Sequence, residues 1–86
     1  MDLIHYTHVI IKNMNTHLIK IKYKNSKYPV VFMAKSFSRK EILDISVDIC
    51  KIFDNVYYNE LQTTFICKER NNINKIMKYL INKFVY

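Results

Sequence analysis

The sequence predicts an α+β fold, a two-layer domain covering residues 1–86 in the order β-β-β-α-β-β-α. An antiparallel sheet is expected, with two helices packed on one face. Three observations carry that prediction. The first third of the chain alternates apolar and polar residues and is rich in Ile, Val, Thr and Tyr, the pattern of half-buried strands. Ser38-Arg39-Lys40-Glu41 opens a second region with a capping-box spacing just ahead of an apolar-periodic run. The last 14 residues then repeat apolar positions at three- and four-residue intervals, as an amphipathic helix does.

Leu3 to Lys12 and Leu18 to Lys24 flank the short polar stretch Asn13-Met14-Asn15 and are expected to pair as a β-hairpin. Asn takes the turn because it tolerates positive φ better than other non-glycine residues. In the second strand Ile19, Ile21 and Tyr23 share one face, and Lys20, Lys22 and Lys24 share the other. After a turn at Asn25-Ser26-Lys27, the run from Pro29 to Lys35 is apolar on both parities, which predicts a strand buried at the centre of the sheet. The capped helix should extend to about Phe53. Its polar positions Asp44, Asp48 and Lys51 fall in a narrow arc, so its wide apolar surface calls for cover on more than one side. Cys50 is expected among that buried surface, and Cys67 on a buried strand.

Val56 to Glu60 and Thr63 to Lys68 read as two short strands. Glu69-Arg70-Asn71-Asn72 reads as a connector offering Asn as an N-cap. Ile73 to Tyr86 is the second helix, burying Ile73, Ile76, Met77, Leu80, Ile81 and Phe84. The order of strand, helix, hairpin and helix parallels a ferredoxin-like split βαβ unit without its last strand, an analogy of order alone.

Composition bounds the function classes. The 86 residues include no glycine and one proline. Ile, Lys, Asn, Tyr, Phe and Met, the residues of AT-rich codons, dominate the chain. An AT-rich virus, phage or mobile element is the expected source. Without glycine there is no phosphate-binding loop, which removes P-loop and dinucleotide-binding chemistry. The longest unbroken apolar run, Val30 to Ala34, is far short of a bilayer span of roughly 20 residues. No secretory signal is read at the N-terminus, and the two cysteines have no disulfide or metal spacing, so an intracellular setting and no membrane partner are expected. No cofactor is expected either. His5 and His8 have opposite strand parity and cannot chelate one ion together, so no metal site is expected with His17. Asp44 and Asp48 share one helix face, but that face is solvated, and nothing else meets the geometric demands of catalysis. The protein is therefore expected to be non-enzymatic.

The formal net charge is +7, and its placement says more than its size. Residues 1–37 and 61–86 are basic, whereas residues 38–60 carry an acidic excess. The basic ends supply a candidate nucleic-acid contact made of Lys12, Lys20, Lys22, Lys24, Lys27, Lys75 and Lys78. Tyr23 is the aromatic for stacking. Arg39 and Arg70, the only arginines, each fall near a predicted helix N-terminus, where backbone N–H groups also favour anions. The expected partner is DNA or RNA, touched through its backbone, or a complex that handles nucleic acid. The alternative is a protein-binding inhibitor or accessory subunit that grips a host protein through an apolar, tyrosine-rich surface. A homodimer is compatible with both.

Overall fold

The computed structural model describes residues 16–86. It holds four strands and two helices in the order β1 (Thr16–Tyr23), β2 (Val30–Ser38), α1 (Arg39–Ile52), β3 (Val56–Asn59), β4 (Thr64–Cys67) and α2 (Asn72–Phe84). The α+β class is as the sequence predicts. The expected first strand and the Asn13–Asn15 turn lie outside the described residues.

The strands lie side by side as β2-β1-β4-β3. Two antiparallel hairpins, β1–β2 and β3–β4, are joined by a parallel contact between β1 and β4. The sheet is therefore mixed rather than antiparallel throughout. The reason lies in direction and burial. After β2, α1 returns the chain and β3 reverses it again, so β4 runs the same way as β1. Thr64-Phe65-Ile66-Cys67 is buried at every position, which suits a central strand, whereas half-exposed Tyr57 suits an edge. Lys20 and Ile21 pair with β2 on one side and β4 on the other.

The run from Pro29 to Lys35, expected at the centre of the sheet, lies at its edge among the described residues. Only Phe32 and Phe37 of β2 are buried. Ile19 pairs with Phe32 but His17 pairs with Phe37, so the register jumps and Met33 to Ser36 stand out to solvent. The apolar residues on both parities mark an irregular edge, where a bulge breaks the alternation.

Both helices cover one face of the sheet. Ile42, Ile45 and Ile49 of α1 and Ile76 and Leu80 of α2 join Ile19, Ile21, Phe32, Phe37, Phe65 and Cys67 in one apolar cluster. α1 opens with the expected capping box: Glu41 N donates to Ser38 Oγ at 3.2 Å, and Ser38 N donates to Glu41 Oε1 at 2.9 Å. Hydrogen bonds from the Ser38 backbone, and then from its side chain, hold the Glu41 carboxyl below its usual range, with Lys35 adding a smaller effect. After α1, Asn55 takes φ 61°, the left-handed turn that glycine would otherwise fill.

The expected Asn cap of α2 is realised differently. Asn71 stands at the cap position without a side-chain bond. Its neighbour Asn72 is buried and donates Nδ2 to the Asp54 carbonyl at 2.9 Å, tying the start of α2 to the turn after α1. The two helices also touch through the Phe53 and Tyr79 rings and through a 3.6 Å ion pair between Lys83 and Asp48. This cover stops short of the expectation. Leu43, Val47 and Cys50 stay exposed on α1.

Candidate nucleic-acid interface

The face of the sheet opposite the helices is where the predicted lysine row falls. Register places its residues without ambiguity. One row across the face reads Val31, Lys20, Thr64 and Asn59; the next reads Lys22, Ile66 and Tyr57. Ile66 is buried but stands apart from the helix-side core cluster, as its parity requires. Lys20 and Lys22 are half-buried, so their methylene stems lie along the sheet while the ammonium groups reach water. They sit on a central strand and are not edge lysines of the kind that block aggregation. Adjacent lysines on one face of a strand are roughly 6.6 Å apart along the chain. Tyr57 stands two strands away from Lys22, roughly 9.6 Å across the ladder, and is 48 % exposed.

The remaining predicted residues separate into groups. Lys24 continues the strand and donates its backbone N–H to the Cys67 carbonyl at 2.9 Å. Arg70 lies at the same end of the molecule, its guanidinium 5.0 Å from the centre of the Tyr23 ring. Tyr23 is thus brought together with Arg70 rather than left as an open stacking platform. Lys27 lies over the Tyr28 ring at 5.9 Å in the exposed β1–β2 turn. Arg39 sits at the other end of β1, because Ser38 pairs with Thr16. Its guanidinium is engaged with Glu60 at 3.3 Å. The two arginines therefore do not share a site. Lys75 and Lys78 are exposed on α2, in the layer on the far side of the sheet from Lys20 and Lys22. Lys12 lies outside the described residues.

Tyr57 has the place the sequence assigned to Tyr23. The signal was in Val56-Tyr57-Tyr58-Asn59: Val56 enters the core, so alternation turns Tyr57 to the open face and Tyr58 inward against Phe65, at a ring separation of 4.9 Å.

A second concavity of about 290 Å³ lies at the Arg39 end, lined by His17, Arg39, Ile42, Tyr58, Glu60, Leu61 and Thr63. Burial raises the Tyr58 phenol, partly offset by a hydrogen bond with Thr63. Its two charged residues, Arg39 and Glu60, neutralise each other across its rim. Among the described residues no group of three His, Cys, Asp or Glu side chains is placed to hold a metal, and Cys67 is buried, its thiol pushed up to about 11. No described helix is long and apolar enough to cross a membrane.

Comparisons of the chain with protein-family models, with curated proteins and with solved structures find no match.

Proposed function

We propose that this is a non-enzymatic, intracellular nucleic-acid-binding protein that lays a single strand across its open sheet face. The observation that carries the reading is the placement of Lys20 and Lys22 on a central strand of the face that carries no helix among the described residues, with an exposed Tyr57 two strands away. Lysines spaced along a strand meet successive phosphates, and an exposed tyrosine stacks on a base. A pleated face suits an unpaired strand better than a duplex groove, which takes a protruding helix or ribbon. The contact is to the backbone, because lysine lacks the planar fork of arginine. Lys24 and Arg70 extend positive charge beyond one end of the face.

Binding is tested with single- and double-stranded DNA and RNA oligonucleotides at about 50 mM salt, where electrostatic contact is strong. Single strands are expected to bind more tightly than duplexes of equal length. No binding of any of them at low salt overturns the reading and leaves the protein-binding alternative. The most exposed large apolar residues, Leu61, Tyr86, Tyr28 and Met33, lie in the β3–β4 turn, after α2, in the β1–β2 turn and on β2, scattered in a way that does not favour that alternative.

A further inference from the structure

The outer flank of α1 is a second surface that the described elements leave open. Leu43, Val47 and Cys50 follow one another at intervals of four and three residues, the spacing of a coiled-coil seam. Leu43 is 38 % exposed, Val47 53 %, and Cys50 is exposed as well. α2 lies on the other side of α1, where Asp48 meets Lys83. Partial burial raises the Cys50 thiol, and a backbone hydrogen bond with Tyr58 offsets part of that rise. The seam thus runs beside β3, one of the two edge strands of the sheet among the described residues.

We propose that this flank is the contact surface for a second copy of the same chain, with the two α1 helices packed antiparallel about a two-fold axis beside Val47. The charges bordering the seam identify the occupant. Asp44 and Lys51 are both exposed, two helical turns apart on the same side of the apolar line. Neither has an ion partner among the described residues. A two-fold axis beside Val47 sets Asp44 of one copy opposite Lys51 of the other, and the reciprocal pair follows by symmetry. A parallel alignment carries Asp44 and Lys51 of the two copies to opposite sides of the seam, where they face the flank of Ser46 and Phe53 and neither charge meets a partner. The flank is therefore complementary to itself in one orientation only. Charges beside such a seam are what set partner and direction in paired helices.

The other edge of the sheet argues the same way by contrast. β2 carries the register jump and exposed Met33 to Ser36, with Lys35 among them, and these features discourage association. β3 has no proline, lysine or bulge. The seam is short, since 14 residues of helix span about 21 Å, so the interface is small and the dimer weak, populated near ~100 µM and dissociating on dilution.

The test is the molar mass of the full chain by sedimentation equilibrium across a concentration series. The wild-type mass is expected to rise from 10.4 kDa toward twice that value. Asp44→Lys and Lys51→Asp should each weaken association by about tenfold, because each replaces two attractive contacts with two repulsive ones. The double variant should recover it. Val47→Glu, at a position already exposed in the protomer, should abolish association while the circular dichroism stays native. A wild-type mass that stays monomeric at ~200 µM overturns the proposal, since even weak specific interfaces are populated there. So does a dimer that ignores these substitutions, or a folded double variant that stays monomeric.

Discussion

Replacing Lys20 and Lys22 by alanine has a consequence that can be worked in advance. Each lysine that neutralises a phosphate of a single strand contributes about 0.7 to the slope of log affinity against log salt. Losing both contacts should flatten that slope by about 1.4. Between 50 and 200 mM salt, a fourfold change, the affinity gap between wild type and the double variant should therefore shrink about sevenfold. Fluorescence anisotropy with a labelled single-stranded oligonucleotide measures this directly. Lys75→Ala with Lys78→Ala removes the same charge from the opposite layer and serves as the control. The substitutions lie outside the apolar cluster, so thermal unfolding should change little. A slope unchanged in Lys20→Ala/Lys22→Ala, or flattened equally by the control pair, would refute the idea that the open sheet face follows the phosphates.

Other outcomes follow from the fold itself. Asn55 at φ 61° should accept glycine with little loss, whereas Asn55→Ala should cost about 1 kcal/mol in urea unfolding, because alanine tolerates the left-handed region poorly. Asn72→Ala removes the buried bond to the Asp54 carbonyl and should cost about 1–3 kcal/mol by the same assay, leaving that carbonyl without its partner. Ser38→Ala should cost about 1 kcal/mol, a typical N-cap value. In wild type the Glu41 half of that box has a folded pKa below 4.5. Its contribution is thus full above that value and fades as pH falls through the lower folded pKa; an acid titration that leaves the Ser38→Ala difference constant down to about pH 2 refutes the coupling. With a thiol reagent at about pH 8, mass spectrometry should find one rapid adduct at Cys50 in the native protein and two in denaturant, since thiolate supply and access govern the rate. Equal rates at Cys50 and Cys67 under native conditions contradict the burial of Cys67.

Much of this architecture is legible in the amino-acid order. The capping box at Ser38 and Glu41 announced the start of α1 to the residue, because two side chains at fixed spacing satisfy two orphan backbone donors. The stripe through Ile76 and Leu80 announced α2, and strict alternation in Lys20-Ile21-Lys22 put the lysines on the face away from the core. What stayed hidden depends on neighbours distant in sequence. Nothing local to Thr64-Phe65-Ile66-Cys67 says that it lies beside β1, so the sheet's mixed character was missed. Apolar residues at both parities in β2 looked like central burial, and only the pairing of Phe37 with His17 shows the four residues between standing outside. The site was half legible for the same reason. Parity alone assigned Lys20 and Lys22, but the tyrosine beside them comes from a strand 35 residues further on, across a ladder that the sequence does not display.

That parallel contact also bears on how the chain acquires its structure. Lys20 pairs with Thr64, so the central seam of the sheet joins residues separated by 44 positions, with α1 and two turns between them. Closing so long a loop must precede the reward of the contact, which slows folding relative to a chain of local hairpins. During synthesis β1 and β2 can meet early, but one flank of β1 waits until Cys67 has left the ribosome. Until then Ile19 and Ile21 lack Phe65 beside them, and the nascent hairpin offers an open edge to any chaperone or neighbouring chain.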